Sequence, residues 1–217
     1  MSEANTVIGT NALHEPVNDE IRELIETFRC GDAPEEALSQ AMEHIKKANE
    51  VLKPHRLVGE GWSTISVAGE SPGLDWSEDD ITMVMPYSPI SGKRNPLAPP
   101  LMLRKEDGDI HGEAIFSPTY AGPPNSVHGG IIAAVFDEIL AMANVISGNA
   151  GFTGTLTIRY HKTTPLNTPI ELWGTNVRQD GRKQISRGEM RVDGVVTASA
   201  EGLFICADGL GGDPTKK

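Results

Sequence analysis

The residues best suited to chemistry stand together in the stretch NSVHGGIIAAVFDEILAMANVI, residues 125–146. After His128 and two glycines the stretch is apolar almost throughout, which predicts a helix enclosed on most of its sides. Two adjacent acids, Asp137 and Glu138, interrupt the apolar run. Because neighbouring helical residues point about 100° apart and an unpartnered buried carboxylate is costly, we expect the two acids to have different surroundings. The alternative is a narrow exposed strip that holds both.

The two glycines predict a helix start that can stabilise an oxyanion. The first N–H groups of a helix have no intrahelical partner and lie at the positive end of its dipole, and glycine leaves them unobstructed. His128 could orient a carbonyl group there or simply cap the helix. Gly129 and Asp137 are eight residues apart, or roughly 12 Å along a helix axis, which is too far for both to touch one carbonyl. If both are catalytic, they belong to different subunits, and we expect at least a homodimer.

The chain divides by composition into four parts, which are 1–52, 53–100, 101–208 and 209–217. Apolar spacings of three and four predict two amphipathic helices between about residues 17 and 52, broken at CGDAPEE, with Asp32 as the second N-cap and Pro34 in the first turn. We expect these helices to pack on the main domain with an acidic outer face, since residues 1–50 hold 11 acids against 4 bases. The first 15 residues and the tail 209–217 have no predicted element.

Residues 53–100 are rich in Pro, Gly and Ser, and we expect only short extended pieces there, at 62–68 and 81–86. The main domain contains the apolar helix and strand-like runs at 110–116, 152–161, 170–178, 183–192 and 195–207. One long helix followed by consecutive strands predicts an α+β fold with an antiparallel sheet. Alternation along the 152–161 run places Thr153, Thr155 and Arg159 on one face and Leu156 and Tyr160 on the other.

Composition bears on partners and compartment. With 19 basic and 30 acidic residues, the net charge of −11 argues against nucleic-acid or anionic-membrane binding. The apolar run is shorter than the ~20 residues that a bilayer needs, and the first residues do not resemble a secretory signal. Cys30 and Cys206 stand in no metal or CxxC pattern, which favours reduced thiols. We therefore expect a cytoplasmic protein without a membrane or nucleic-acid partner.

Four motifs together resemble a known family. They are GPPNSVHGGIIAAVFDEI, then FTGTLTIRYHKTTPL after the helix, GRK at 181–183, and ASAEGLFI at 198–205. In this order they resemble the hotdog-fold acyl-CoA thioesterases, specifically the PaaI-like group, over about residues 80–207. The resemblance implies the hotdog fold, a helix wrapped by an antiparallel sheet. The N-terminal helical extension is predicted from its own apolar spacing and adds no family evidence. The resemblance also implies a homodimer or a dimer of dimers with sites at the interface, and cleavage of an acyl-CoA thioester.

The resemblance also implies site residues. The positions that match the family's site are Asp137, His128, Gly129, Gly130 and Thr153. Asp137 matches the general base or nucleophile, the two glycines match backbone donors to the thioester carbonyl, and the histidine matches a residue that helps to hold it. The Thr153 hydroxyl matches a group that assists the water or the acid. Glu138 matches no catalytic residue, so we expect it to face solvent or form a salt bridge. No metal or redox cofactor is implied.

The phosphates of CoA require cations, and these are concentrated after the helix. Residues 159–191 hold seven Lys and Arg against three Asp and Glu, a local balance of +4. Lysine offers a point charge and arginine a bidentate contact. The candidates for CoA binding are Arg159, Lys162, Arg182 and Lys183. A solvated strand face would explain any one of them equally well.

Three alternatives to the thioesterase stay open. A non-catalytic acyl-CoA-binding protein would keep the fold without the reaction, because a fold alone does not prove chemistry. A hotdog hydratase or dehydratase is a second alternative, although the Asn-Pro in RNPLAPP lacks a nearby acid and histidine. The third is a protein-interaction module that docks a partner on the acidic N-terminal helices.

Overall fold

The structure, a computed structural model, describes residues 12–56, 81–148 and 150–206. The helices are α1 (His14–Cys30), α2 (Glu35–Leu52) and α3 (Gly129–Ile146). The strands are β1 (Leu101–Glu106), β2 (Asp109–Ile115), β3 (Gly151–Tyr160), β4 (Pro169–Asp180), β5 (Lys183–Val192) and β6 (Val195–Cys206). Short 3-10 helices lie at Lys53–His55, Ile81–Val84 and Pro118–Tyr120. The predicted extended piece at 62–68 and the tail 209–217 lie outside the described residues.

All six strands form one antiparallel sheet in the order β1-β2-β4-β5-β6-β3. The sheet wraps α3, which packs against five of its strands. A single long helix enclosed by an antiparallel sheet is the hotdog fold, so the predicted α+β architecture is confirmed. β3 follows α3 in the chain and forms one edge of the sheet.

Small residues in the sheet let α3 lie close to it. A Cβ atom at Gly188 would be 2.7 Å from the carbonyl oxygen of Trp173 and 3.1 Å from the Leu140 side chain. A Cβ atom at Gly202 would be 3.3 Å from the same leucine. Within the described ranges, α3 is the one helix long and apolar enough to cross a membrane. Its enclosure by the sheet accounts for that apolar sequence.

The predicted strands of the main domain are all present, but one strand was missed. β1 pairs with β2 through a tight turn in which Asp107 and Gly108 have φ of 51° and 87°. Asp-Gly is a strong hairpin signal because both positions need positive φ. The extended conformation predicted for 81–86 is wrong, since Ile81–Val84 is a 3-10 helix.

The N-terminal helices are present, and they differ in how they contact the domain. The Asn18 side chain of α1 donates to the carbonyl of Lys93 at 3.0 Å, so α1 packs on the domain as predicted. No residue of α2 is buried, so the same prediction is not confirmed for α2. The Asp32 N-cap is also wrong. Pro34 occupies the N-cap position in an extended conformation, without a side-chain cap.

The core position of Leu140 yields a prediction about stability. Leu140 is fully buried between α3 and the sheet, so Leu140→Ala should lower the free energy of unfolding by about 2–5 kcal/mol. Urea denaturation would measure the change. Met102→Ala is the control, because Met102 is 62% exposed and its truncation should have little effect. Equal destabilisation by both variants would contradict the described core.

Candidate active site

The turn before α3 fixes His128 at the start of the helix. Asn125 has φ of 56°, a left-handed conformation that asparagine tolerates. Gly122 donates its N–H to Ser126 O at 2.9 Å, and a Cβ atom at Gly122 would be only 2.7 Å from the Cα of His128. The His128 N–H donates to Tyr120 O at 2.9 Å. The sequence GPPNSVH therefore forms a compact turn whose first position, Gly122, has no room for a side chain.

The His128 side chain caps α3. Its Nδ1 accepts a hydrogen bond from the Gly130 N–H at 2.9 Å. In the neutral imidazole this bond requires the proton on Nε2, which makes Nε2 a donor. The Gly130 N–H is thereby engaged and is not free to be the predicted second donor to a carbonyl. No described residue accepts a hydrogen bond from the Gly129 N–H, so this amide and Nε2 of His128 are the available donors.

Tyr160, which the sequence did not single out, also contacts the helix start. Its hydroxyl donates to the carbonyl oxygen of Gly129 at 2.9 Å. Tyr160 ends β3 and belongs to the face predicted to be apolar. That face turns toward α3, so the alternation pattern contained the signal. We call His128, Gly129 and Tyr160 the amide half-site.

Asp137 lies two turns further along α3 and meets β3 near its other end. The Thr153 hydroxyl donates to Oδ1 of Asp137 at 2.7 Å. The pairing register of β3 with β6 shifts between Thr153 and Thr155, which marks a β-bulge. A bulge re-aims side chains, so Thr153 faces α3 together with Tyr160. The prediction that Thr153 and Tyr160 lie on opposite faces is therefore wrong. We call Asp137 and Thr153 the acid half-site.

Glu138 is half-buried and its carboxyl accepts from a serine, so the prediction that it faces solvent or forms a salt bridge is wrong. Its Oε1 accepts a short hydrogen bond from the Ser91 hydroxyl. Burial raises the pKa of Glu138, the nearby hydroxyls of Ser88 and Ser91 lower it, and the charge of Asp137 raises it, so that the pKa is raised on balance. The chain between Ile81–Val84 and β1 folds over this side of α3, and no local pattern in the sequence predicts that contact.

The two half-sites of one chain cannot act on one thioester. Gly129 and Asp137 are both in regular helix, which separates them by roughly 12 Å along the axis. β3 runs antiparallel to α3 and contacts both half-sites, through Tyr160 and Thr153. Within one chain, Asp137 and the Gly129 amide therefore do not converge on one point.

The four candidate CoA-binding cations lie in two separate groups. Lys183 pairs with Ile205, which pairs with Phe152 at the start of β3. Arg159 lies seven residues further along β3, or about 23 Å at ~3.3 Å per residue. Arg182 and Lys183 are therefore at one end of the sheet, whereas Arg159 and Lys162 are at the other. The structure does not bring the four together within one chain.

A groove of about 740 Å³ lies elsewhere, between α1 and the end of β2. Its apolar lining includes Ile25, Leu97, Ile115 and Tyr120, and it includes no residue of either half-site. Within the described residues, no group of three or more His, Cys, Asp and Glu side chains is placed to hold a metal ion. Because the groove contains neither Asp137 nor the Gly129 amide, it is not the candidate active site.

Comparison with known proteins decides the family. No family model matches the chain. The crystal structure of a thioesterase superfamily protein is 32% identical to it, covers 91% of this chain and 92% of its own, and has a TM-score of 0.78. This chain belongs to the thioesterase superfamily. The family predicted from the four motifs is confirmed at that level.

Other solved thioesterases are less similar to this chain. A hypothetical thioesterase protein from Streptococcus pneumoniae TIGR4, solved with coenzyme A, is 18% identical over 49% of this chain and 88% of its own, with a TM-score of 0.47. Zebra fish thioesterase superfamily member 2 is 15% identical over 66% and 93%, with a TM-score of 0.48. Likenesses this weak support no inference about the site of this chain.

The cap made by His128 yields a prediction that separates stability from chemistry. His128→Ala removes the acceptor of the Gly130 N–H and should lower the free energy of unfolding by about 0.5–2 kcal/mol, whereas His128→Asn should restore most of it. Chemical denaturation would measure both variants. If all three proteins were equally stable, the imidazole would not cap α3.

Proposed function

We propose that this chain is an acyl-CoA thioesterase of the PaaI-like group, which hydrolyses a CoA thioester to the free acid and CoA. The hydrogen bond from Thr153 to Asp137 is the observation that supports it most. It engages one carboxylate oxygen and leaves Oδ2 for a water molecule or for the substrate. A carboxylate held in this way on the central helix of a thioesterase superfamily member suits general-base or nucleophilic catalysis.

The amide half-site would stabilise the charge that develops on the thioester carbonyl. The Gly129 N–H and Nε2–H of His128 are the two donors, and both lie at the positive end of the α3 dipole. Tyr160 fixes the first turn by its bond to Gly129 O. Gly130 contributes through the cap on His128, not through a bond of its own to substrate.

Asp137 would then act on the carbonyl carbon. As a general base, it takes a proton from water while the water oxygen attacks that carbon, and it returns the proton to the departing CoA sulfur as the C–S bond breaks. As a nucleophile, its Oδ2 displaces the CoA thiolate, and water hydrolyses the resulting anhydride. Neither route needs a metal or redox cofactor. The free acid and CoA are the products of both.

A two-fold homodimer would complete the site. β3 is an edge strand whose residues are mostly exposed, including Phe152 at 66% and Tyr160 at 52%, and exposed strand edges tend to be covered by another chain. Two-fold symmetry makes every contact reciprocal, so if the amide half-site of one protomer meets the partner's acid half-site, the second such pair forms as well. Antiparallel approach of two β3 edges would set the amide half-site of one protomer against the partner's acid half-site. A pair of such dimers is equally compatible with this site.

The same arrangement would unite the cations. The end of β3 with Arg159 and Lys162 would lie near the partner's Arg182 and Lys183 end, and the four could then share the phosphates of one CoA. We further propose that the protein acts in the cytoplasm, without a nucleic-acid or membrane partner. The net charge of −11 argues against anionic partners, and Cys30 and Cys206, which stand in no metal or CxxC pattern, favour a reducing compartment.

A panel of acyl-CoA thioesters tests the activity, with release of free CoA thiol as the measurement. Asp137→Asn should lower turnover at least about a hundredfold with the dimer intact, because it removes the acid-base group. Asp193→Asn is the matched control, since Asp193 is exposed in a turn with φ of 50° that asparagine tolerates. Near-normal turnover of Asp137→Asn would refute the assignment. Saturable binding of acyl-CoA by the unmodified protein without any turnover would favour the non-catalytic binder.

Mixed dimers test whether the site is shared. A heterodimer of His128→Ala and Asp137→Asn chains has one site with both defects and one with neither. Half of randomly mixed dimers are heterodimers, so mixing two nearly inactive variants should restore about a quarter of normal turnover. Refolding the two together, with each refolded alone as the control, provides the comparison. Absence of any gain on mixing would place the whole site within one chain.

A further inference from the structure

Glu138 is a partly buried acid that the proposed mechanism does not use. It follows Asp137 directly on α3, and the Ser91 hydroxyl donates to its carboxyl. Ser91 is only 2% exposed, so this bond is shielded from water, and hydrogen bonds to a carboxylate are stronger than those between neutral groups. The turn that contains Ser91 is therefore fastened to α3 next to Asp137.

The segment around this serine, residues 85–95, is a compact unit that we call the serine loop. The Ser88 hydroxyl accepts from the N–H groups of Ile90 and Ser91 at 3.1 and 3.3 Å. The N–H of Arg94 donates to Pro86 O at 2.8 Å. A Cβ atom at Gly92 would be 2.5 Å from that same Pro86 oxygen. With this internal bonding and no room for a side chain at Gly92, the loop is expected to move as one piece.

Helix α1 holds the serine loop at a second place. Asn18, which is 4% exposed, donates to Lys93 O at 3.0 Å. The Arg22 guanidinium donates to Asn95 O at 2.9 Å and to Gly92 O at 3.3 Å. The Asn18 and Arg22 side chains thus donate hydrogen bonds to loop carbonyls that lie outside any helix or strand. A continuous set of hydrogen bonds runs from α1 through the serine loop to Glu138.

We propose that Glu138 is a positioning residue, which fastens the serine loop and helix α1 to α3 and thereby fixes the Asp137 carboxylate for the reaction. This proposal rests on the proposed function. It gives helix α1 a part in catalysis, because the hydrogen bonds of the loop connect α1 to Glu138, the neighbour of Asp137 in α3. Misplacement of a catalytic group by about 1 Å can lower turnover up to a hundredfold. The loss is expected in kcat, since the loop provides no residue of either half-site.

The test compares loop-side and helix-side variants by steady-state kinetics and by hydrogen exchange of the 85–95 peptides. Glu138→Ala and Ser91→Ala should each lower kcat about tenfold, change KM by less than about twofold, and speed exchange in the loop. Glu138→Gln keeps an oxygen that can accept from serine, so it should recover most of kcat and of the protection. Glu113→Gln, on the exposed face of β2, is the matched control without effect. If Glu138→Ala fails to fold, Ser91→Ala still decides the question.

Asn18→Ala tests the connection to α1. It should lower kcat severalfold and speed hydrogen exchange in the loop. Because Asn18→Ala and Ser91→Ala break the same connection, the double variant should lower kcat by less than the product of the two single decreases. Normal kcat and normal loop protection in Glu138→Ala or Ser91→Ala would overturn the proposal, as would fully multiplicative effects on kcat.

If the chain hydrolyses no thioester, the proposed function fails by itself. Faster loop exchange in Asn18→Ala and Ser91→Ala would then still support the fastening, and unchanged exchange would overturn it.

Discussion

The enclosure of one apolar helix by one sheet is the constraint on which the rest of this structure depends. α3 has buried residues at Val135, Phe136, Ile139, Leu140, Met142 and Ala143, among others. The hydrophobic effect drives these side chains into the sheet. The close approach requires small residues beneath the helix, which Gly188 and Gly202 provide. Each polar side chain on α3 must then reach the surface of the helix–sheet core or form a hydrogen bond, and the positions of Asp137 and Glu138 follow from this requirement.

The regular rise of α3 determines how far apart the two half-sites lie. A helix rises about 1.5 Å per residue, so the free amide at its start and the acid two turns later cannot converge on one atom. β3 contacts both ends of this span, with Tyr160 at Gly129 and Thr153 at Asp137. β3 also forms an open edge of the sheet. The proposed chemistry therefore depends on pairing of two chains along this strand. The proposed dimer would cover the edge and complete the site by one contact.

Asp137 and Glu138 carry the same kind of side chain and are adjacent in α3, but their surroundings differ. Asp137 points toward β3, where the Thr153 hydroxyl donates to it. Glu138, turned about 100° away, points into the serine loop, and burial there raises its pKa. The desolvation of Glu138 is offset by hydroxyl groups of the loop, so the loop is held where the carboxylate needs it. In this way one set of hydrogen bonds connects α1, the serine loop and α3.

The sequence by itself determined the parts of this protein that depend on local periodicity and local backbone chemistry. The apolar run, the HGG start and the alternating runs predicted α3 and its cap position, five of the six strands and the α+β class, because each follows from a repeat of 3.6 or 2 residues. Tertiary structure alone decided three features: the bulge that turns Thr153 toward Asp137, the burial of Glu138 under Ser88 and Ser91, and the separation of Arg159 from Lys183. Each of these depends on contacts or register between segments far apart in the chain. Residue types and spacing do not specify such contacts, because only packing selects which segments meet.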